Sequence, residues 1–297
     1  MRTRGILKRT SLVLGAVTGL GLGLLAGPAS AHITPPQGGS ARSSLSGDGR
    51  AELVSVNADG SLTAFPNVDG INFHWGEGRT VGTGWNPYRT RFADLDGDGR
   101  KELISVNANG QIVAFPNTDG MNAGWGTPRV IGDGWYNPER TQFADLNGDG
   151  RAELLSLGAN GEITAFPNVD GLHYNWGTPR VVGSGWNDPA RVRLADLDGN
   201  GRAELISVNG NGEISAFPNL DGLNGSWGNA RVIGSGWDHP SRTRVADLDG
   251  DGRAELISVN GNGEISAFPN VDGLNGNWGG VRTVGSGWWN PDATLLA

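Results

Sequence analysis

The chain has 297 residues, of which 51 are glycine, 11 are tryptophan and none is cysteine. A chain without cysteine has no disulfide, no thiol nucleophile and no cysteine-ligated metal. A glycine content far above the usual ~7% argues against long helices, and its lack of a three-residue period excludes collagen. The formal net charge of −8 offers no basic footprint, so we expect no nucleic-acid partner.

Residues 1–31 have the pattern of a secretory signal peptide. Basic residues near the start precede an apolar, glycine-rich stretch from Ser11 to Ala26, and Ala29-Ser30-Ala31 matches an A-x-A cleavage pattern. A membrane anchor is disfavoured, because the apolar stretch is shorter than the ~20 residues of a spanning helix. We therefore expect a secreted, extracellular protein with no membrane insertion after cleavage. Residues 32–42 are predicted to form a flexible leader.

The rest of the chain, 43–297, is one unit repeated five times. An acidic motif begins at Asp94 and returns every 51 residues, and a degenerate copy begins at Ser44. Such a period indicates a repeat architecture. The motif starts are Ser44, Asp94, Asp145, Asp196 and Asp247. The predicted repeats are about 43–92, 93–143, 144–194, 195–245 and 246–297.

Each repeat contains four short apolar stretches separated by Gly, Asn, Asp and Pro turns. Four antiparallel strands per ~50 residues are typical of a β-propeller blade. The sequence therefore predicts an all-β fold, a five-bladed β-propeller with four antiparallel strands per blade. Within a blade, Asn262-Gly263 predicts a two-residue hairpin turn in which both residues have φ > 0.

The last ten residues predict how the ring closes. Residues 288–297 match 135–144, a segment that leads into an acidic motif, but no acidic motif follows them. We therefore expect Thr294–Ala297 to add the missing strand to the first blade, which would cover the edge strands of the ring. A larger ring formed by two chains is the alternative.

The acidic motifs predict cation sites. Positions 1, 3 and 5 carry Asp or Asn, position 7 offers a backbone carbonyl, position 9 is Glu, and two glycines permit the tight turn. Calcium prefers six to eight oxygen ligands of these types, and such close carboxylates repel one another without a cation. The absence of histidine from the motif disfavours zinc and copper. The predicted calcium ligands are Asp94, Asp96, Asp98, Glu102, Asp145, Asn147, Asp149, Glu153, Asp196, Asp198, Asn200, Glu204, Asp247, Asp249, Asp251 and Glu255.

The first copy of the motif is different. Ser44 and Ser46 replace its two leading carboxylates, so its site is predicted to be weak or empty. For every copy, the alternative is a solvated Asp-Gly turn whose charge the following arginine neutralises. An EF-hand is excluded, because the twelfth position is serine rather than glutamate and the flanks are strands.

The motif resembles the D-x-D-G-D-G-x-x-D loop of integrin-type FG-GAP (VCBS-like) propeller repeats. The resemblance implies that calcium lies in the loops with a structural rather than a catalytic role. It covers one short loop in each blade. This sequence has Glu where the family has its last Asp.

A second pattern, W-x(3)-R-x-I/V-G-x-G-W, recurs in the repeats, as in Trp227–Trp237. It is similar to tachylectin-2-like propellers, which are five-bladed lectins that bind N-acetylated amino sugars between blades. The resemblance implies carbohydrate binding. It departs from that family where the aromatic-rich inner strand is replaced by the acidic strand.

Carbohydrate binding also agrees with the residue types. Sugars stack on aromatic faces and form a few hydrogen bonds with Asn, Asp and backbone groups in shallow sites. The candidate ligand-binding residues are Trp75, Trp125, Trp176, Trp227, Trp278, Asn67, Asn117, Asn168, Asn219, Asn270, Asp69, Asp119, Asp170, Asp221 and Asp272. The Gly-Trp tryptophans are instead predicted to pack between blades, namely Trp85, Trp135, Trp186, Trp237 and Trp288. For the loop tryptophans, sugar binding and packing between blades are both possible. For the Phe-Pro-Asn residues, the alternative to sugar binding is a strand end followed by a turn.

No catalytic constellation is visible, so we expect a protein that is not an enzyme. The histidines are His32, His74, His173 and His239, and they do not recur at matched repeat positions. His32 would be the mature N-terminal residue, in a faint resemblance to lytic polysaccharide monooxygenases, but no partner histidine accompanies it.

The expected function is a secreted, calcium-stabilised, lectin-like protein for N-acetylated amino sugars or cell-wall glycans. The first alternative is an extracellular calcium-binding scaffold for protein interaction or adhesion, with another protein as partner. A second alternative is a module associated with a separate hydrolase chain.

Overall fold

The computed structural model describes residues 43–297, so the predicted signal peptide, the leader and His32 lie outside the described residues. This part of the chain forms five four-stranded antiparallel sheets and contains only 3₁₀ turns, without an α-helix. The predicted five-bladed β-propeller is therefore confirmed. Within 43–297, no helix has the length and apolar character needed to cross a membrane.

The strands of the five blades are short and follow the same order in each. Blade 1 contains β1 (Leu53–Val56), β2 (Leu62–Phe65), β3 (Arg79–Gly82) and the final strand β22 (Thr294–Leu296). Blade 2 contains β4 (Thr90–Ala93), β5 (Glu102–Val106), β6 (Ile112–Phe115) and β9 (Arg129–Gly132). Blade 3 contains β10 (Thr141–Ala144), β11 (Glu153–Leu157), β12 (Ile163–Phe166) and β13 (Arg180–Gly183).

The remaining elements complete the set. Blade 4 contains β14 (Val192–Ala195), β15 (Glu204–Val208), β16 (Ile214–Phe217) and β17 (Arg231–Gly234). Blade 5 contains β18 (Thr243–Ala246), β19 (Glu255–Val259), β20 (Ile265–Phe268) and β21 (Arg282–Gly285). A small extra pair joins β7 (Asn117–Asp119) and β8 (Gly124–Trp125). The 3₁₀ turns are Pro87–Arg89, Gly120–Asn122, Pro138–Arg140, Pro189–Arg191, Gly222–Asn224, Pro240–Arg242, Gly273–Asn275 and Pro291–Ala293.

The C-terminal strand closes the ring as predicted. β22 pairs antiparallel with β1, with Leu53 opposite Leu296 and Ser55 opposite Thr294. The Ala297 amide also donates to the Glu52 carbonyl at 3.0 Å. Blade 1 is therefore built from both ends of the described chain, which leaves neither end strand unpaired in the sheet.

The hydrophobic core lies between the blades. The third strand of each blade alternates between buried and half-buried residues, whereas second strands such as β5 are almost wholly buried. Five buried clusters each combine side chains from two neighbouring blades. At every joint, a Gly-Trp tryptophan packs edge-on against a phenylalanine of the next blade, with ring centroids 5.2–5.5 Å apart. These pairs are Trp85–Phe115, Trp135–Phe166, Trp186–Phe217, Trp237–Phe268 and Trp288–Phe65. The Gly-Trp tryptophans thus hold the blades together, as predicted.

The hairpin turn of blade 5 differs from the prediction. Only Gly263 has a positive φ, at 72°, and Asn262 does not share it. The Asn260 amide donates to the Glu264 carbonyl at 2.9 Å and the Gly263 amide to the Asn260 carbonyl at 3.1 Å, which makes a three-residue loop. The Asn260 side chain accepts the Asn262 and Glu264 amides at 2.9 and 3.0 Å, and this local bond favours the longer turn.

Candidate functional site

The five predicted ligand asparagines lie inside the joints between blades. They are Asn67, Asn117, Asn168, Asn219 and Asn270, each at most 5% exposed. In Asn270, Nδ2 donates to the Leu197 and Ala254 carbonyls at 2.9 and 3.0 Å, and Oδ1 accepts the Gly273 amide at 2.8 Å. The other four make the matching bonds. Their side chains are thus used within the fold, and of the five only Asn117 also lines one of the described pockets, a cavity of about 360 Å³ beside Ser46 and Arg100.

The predicted ligand aspartates shape the same loops. Asp221 accepts the Ser226 amide at 3.0 Å and Asp272 the Asn277 amide at 3.2 Å. Asp69 accepts the His74 amide in the same way, and Asp119 accepts the Asn122 side chain. Asp170 has one buried oxygen without a hydrogen-bond partner in the described part of the chain.

The predicted loop tryptophans each reach across a joint. The indole N–H donates to a backbone carbonyl of the preceding blade: Trp125 to Val81 and Trp176 to Ile131 at 2.6 Å, Trp227 to Val182 and Trp278 to Ile233 at 2.5 Å, and Trp75 to Val284. All five are half-buried. One edge of each ring is therefore fixed, and each ring packs against the buried cluster at its joint, while Trp75 also lines a pocket.

Such a pocket opens between blades 5 and 1, with a volume of about 400 Å³. Its aromatic walls are Phe65, Phe73, Trp75 and Trp288, and its polar edge is Ser55, Asn57 and Thr63. The polar edge is ordered internally, since Asn57 accepts the Ser55 hydroxyl at 3.0 Å and donates to Thr63 Oγ1 at 2.9 Å. A related pocket of about 240 Å³ lies between blades 4 and 5 and includes Trp237, Phe268, Ser258 and Asn260.

Phe73 occupies an unusual backbone conformation in this pocket. Its φ is 65°, and Tyr174 and Ala123 have φ of 62° and 60° at the matching positions of blades 3 and 2, where blades 4 and 5 carry Gly225 and Gly276. A non-glycine residue in this region costs about 1 kcal/mol or more. Phe73 and Tyr174 are nevertheless aromatic and 48% and 52% exposed. Strain combined with an exposed aromatic ring points to a function.

Several residues of this pocket are not among those predicted from the sequence. Phe73, Ser55, Asn57 and Thr63 line it, whereas only Trp75 of the predicted ligand set does. A signal for Phe73 was present in the sequence. Comparison of the repeats shows an aromatic residue in blades 1 and 3 at a position that is glycine in blades 4 and 5.

In blades 2 to 5 the predicted calcium loops connect the innermost strand to the second strand, whereas in blade 1 the first copy of the motif precedes β1 and the innermost strand is the C-terminal β22. We name them loop 1 to loop 5, for residues 44–50, 94–100, 145–151, 196–202 and 247–253. In loop 2, the buried Asp94 accepts the Gly97 and Gly99 amides at 2.7 and 2.9 Å. The Glu102 carboxylate, which follows the loop, accepts the Leu95 amide at 2.7 Å. Asp94, Asp96 and Glu102 have oxygen atoms within 4.8 Å of one another.

Burial makes these carboxylates difficult to ionise. It raises the pKa of Asp94 to about 7 and that of Glu102 to about 8, with further repulsion from the neighbouring aspartates. Among the described residues, no basic side chain lies within salt-bridge distance of either. A cation would favour the ionised forms of these carboxylates, and their hard oxygen atoms are the donors that a calcium-like ion prefers.

The loops differ in how well they fit a cation. Loop 4 groups Asp196, Asp198 and Glu204, and loop 5 groups Asp247, Asp249 and Asp251, with the same close spacing of oxygens. In loop 3, Asn147 Nδ2 donates to Glu153 at 3.0 Å and to Asp149 at 3.2 Å. The amide N–H₂ of Asn147 therefore already satisfies carboxylate oxygens of Asp149 and Glu153 that a cation would otherwise use. Asp98 and Asn200, at position 5 of loops 2 and 4, accept the Arg100 and Arg202 amides at 2.8 Å.

A sequence-family comparison agrees with these loops. The family described as FG-GAP-like repeat matches residues 45–105, 94–156, 145–207 and 196–258. The chain belongs to the FG-GAP-like repeat family. A search of curated protein sequences found no match to this FG-GAP-like propeller.

Solved structures resemble the FG-GAP-like propeller at low sequence identity. A symmetrical protein, described in terms of its de novo evolutionary emergence, is 16% identical to this chain with a TM-score of 0.51, over 83% of this chain and 98% of that chain. An Agrocybe aegerita lectin described as recognising non-reducing terminal N-acetylglucosamine is 23% identical with a TM-score of 0.49, over 85% of this chain and 68% of that chain. The BP39L lectin from Burkholderia pseudomallei is 14% identical with a TM-score of 0.44, over 84% and 71%. Of these three structures, the symmetrical protein has the TM-score above 0.5, and at 16% identity its similarity shows the fold alone.

The acidic loops of this FG-GAP-like propeller form a closed ring. The amide that follows each loop donates to the first carbonyl of the loop in the preceding blade, as from Ala152 to Asp94 at 2.7 Å, and this bond occurs at all five joints. The last arginine of each loop lies over the fourth residue of the preceding loop. A Cβ on Gly97, which has a φ of 81°, would lie 3.3 Å from Arg151 Cγ. Glycine therefore serves both the turn and the contact between loops.

Loop 1 keeps this geometry without its leading carboxylates. Ser44 Oγ accepts the Gly47 and Gly49 amides at 3.0 and 3.2 Å, as Asp94 does in loop 2. Lys101 follows loop 2, at a position where the other four repeats have alanine. Burial raises the pKa of Glu52 to about 7, and the Lys101 charge acts against that rise. The repeat without the carboxylates thus has a positive side chain beside its buried glutamate.

Proposed function

We propose that this FG-GAP-like propeller is a secreted carbohydrate-binding protein that binds sugars in its inter-blade pockets and calcium in its acidic loops. The observation that carries the proposal is the pocket between blades 5 and 1, in which a strained, exposed Phe73 faces Trp75 and Trp288 above an ordered polar edge. Blades 1 and 3, which carry aromatic residues at this position, are the main binding blades.

The pocket suits a sugar ring with one apolar face. Aromatic walls stack against C–H groups, while Ser55, Asn57 and Thr63 supply hydroxyl and amide groups for the sugar hydroxyls. An N-acetyl group adds an apolar methyl and an amide, which suit the same combination of walls and edge. Each site is small and open, so an amino-sugar polymer that reaches two blades would gain affinity from multivalency.

Replacement of Phe73 by Ala is expected to lower the affinity for an N-acetylglucosamine oligomer roughly tenfold, because one aromatic stacking contact is lost. Ala123 occupies the matching position in blade 2, so the fold tolerates alanine there. Sugar titration monitored by tryptophan fluorescence, with calcium present, measures the effect. Tyr174→Ala is expected to act similarly in blade 3.

Two further variants make this test specific. Tyr136→Ala removes an exposed aromatic residue that lines neither inter-blade pocket and should leave affinity unchanged. Ala123→Phe should create an additional binding blade. A glycan array on which the wild-type protein binds no sugar in calcium would refute the proposal.

Calcium is expected to bind tightly at three loops per chain, loops 2, 4 and 5, because only these bring three carboxylates together among the described residues. Asn147→Asp should raise the count to four by replacing an N–H donor with an oxygen ligand, and Asp96→Asn should lower it to two. Calcium titration calorimetry gives the count. An unchanged count in both variants would contradict the assignment of these loops.

A binding role rather than catalysis is part of the proposal. The described histidines, His74, His173 and His239, are exposed and lie in loops at unmatched positions. The buried carboxylates belong to the acidic loops or support them. We therefore assign calcium a structural role and no catalytic step to this chain.

A further inference from the structure

A further cavity lies on the ring axis, on the side of the Pro-containing 3₁₀ turns, with a volume of about 500 Å³. The second residue of each innermost strand lines it. These residues are Arg91, Gln142, Arg193, Arg244 and Leu295. The residues that follow them in the strands, such as Phe92 and Leu194, provide apolar walls. Three guanidinium groups therefore share one cavity with apolar surface and with the Glu139 and Asp292 carboxylates.

Each guanidinium is held in place by backbone carbonyls alone. Arg193 Nη1 donates to Val192 and Ala190 at 2.7 and 3.0 Å, Nη2 to Pro240 at 2.8 Å and Nε to Thr243 at 3.3 Å. Arg91 and Arg244 make the matching four bonds. A guanidinium has five N–H groups. In each, one Nη2 N–H therefore has no acceptor among residues 43–297.

The positive charge of these groups is not paired. Within 43–297, no carboxylate lies within 4.0 Å of Arg91, Arg193 or Arg244. Glu139 and Asp292 line the same cavity and, with Asp188, attract the arginines from beyond 4.0 Å, so the lining holds three guanidinium groups against two carboxylates. Burial together with repulsion from Arg244 lowers the pKa of Arg193 to about 10. Backbone carbonyls orient the guanidinium groups but bring no net negative charge.

We propose that this axial cavity is an anion-binding site for a small oxyanion, carboxylate or phosphate, held by Arg91, Arg193 and Arg244. The planar guanidinium fork suits two-oxygen recognition of such groups, and the carbonyl bonds fix the three forks before the anion arrives, which lowers the cost of binding. The site is separate from the inter-blade sugar pockets and does not depend on the function proposed for them.

Titration calorimetry of the whole protein with sodium phosphate and, separately, sodium glucuronate tests the proposal, with glucose as the uncharged control. We expect one anion per chain and no matching heat from glucose at this site. Arg193→Gln and Arg244→Gln should each weaken anion binding roughly tenfold. Gln142→Arg adds a fourth guanidinium at the matching position of blade 3 and should strengthen it.

Two control variants distinguish anion binding at the axial cavity from non-specific attraction of anions to positive charge. Arg129→Gln removes the same charge from an exposed outer strand and should leave the anion affinity unchanged. Phe73→Ala, in the sugar pocket, should also leave the anion affinity unchanged. Loss of sugar binding can therefore be told apart from loss of anion binding. If Arg193→Gln loses stability, Gln142→Arg still gives a readout. Absence of binding of both anions to the wild-type protein, an equal loss in Arg129→Gln, or no gain in Gln142→Arg would overturn the proposal.

Discussion

In the presence of a chelator, the protein is expected to become less stable as the pH rises from about 5 to about 8, and calcium is expected to remove or reverse this trend. Burial raises the pKa of Glu102, Glu153 and Glu204 to about 8 and that of Glu255 to about 9. It raises the pKa of Asp94 and Asp247 to about 7. These groups therefore keep their protons in the folded protein at pH values where the unfolded chain has lost them.

The sign follows from proton binding. Between the unfolded pKa values of 4.5 for Glu and 3.8 for Asp and the raised folded values, the folded state holds more protons, so the free energy of unfolding falls as the pH rises. The stabilisation that these groups give the folded state is complete below their unfolded pKa values and is lost as the pH rises to their folded pKa values. Each tenfold change in an ionisation constant corresponds to about 1.4 kcal/mol, so several such groups produce a large effect. Calcium favours the ionised forms and adds binding free energy.

Thermal melting across this pH range measures how the melting temperature changes with pH, once with chelator and once with calcium. Glu153→Gln removes one titrating group and should flatten the chelator curve, whereas Glu162→Gln, in an exposed hairpin, should not. A melting temperature that rises with pH in chelator would show that the buried carboxylates are already charged and compensated in the metal-free protein.

The fold was predictable because its information is repeated. Each copy carries the same order of short apolar stretches and turns, so the blade count follows from a period, and the degenerate copy at Ser44 still has the right spacing. Ring closure was predictable for the same reason, since residues 288–297 duplicate a segment with a known place in the repeat. The prediction of a two-residue turn at Asn262-Gly263 was wrong, because the Asn260 side chain favours the longer loop.

The binding residues were harder to predict because they depend on contacts between blades. An asparagine after Phe-Pro has the same sequence appearance in a sugar site and in a joint. Only the structure shows that Asn270 meets the Leu197 carbonyl, 73 positions away in the chain. The pocket likewise combines residues 55–75 with residues 285–288. The useful sequence signal was a difference between repeats, Phe73 against Gly276, rather than the pattern that all repeats share.

Replacement of Asn270 by Asp is expected to destabilise the protein by about 3 kcal/mol or more, because it places a carboxylate against carbonyl oxygens in a buried joint. The amide of Asn270 donates to Leu197 in loop 4 and to Ala254 beside loop 5, and its backbone amide points to Glu255 at 3.4 Å. Two loops with clustered carboxylates are therefore fixed by one side chain. Chemical denaturation with calcium present measures the loss.

Asn270→Ala separates the missing bonds from the added charge. It should cost less than Asn270→Asp at neutral pH, and the two should converge at low pH, where the new carboxyl is protonated and donates again. Asn187→Ala, at an exposed site with one long hydrogen bond, should change stability by no more than about 0.5 kcal/mol. Calcium affinity is expected to fall in both Asn270 variants, because loops 4 and 5 lose their shared anchor. An Asn270→Asp protein as stable as the wild type would mean that the joints tolerate a charge, and the asparagines would then be free for the ligand role that their sequence context suggests.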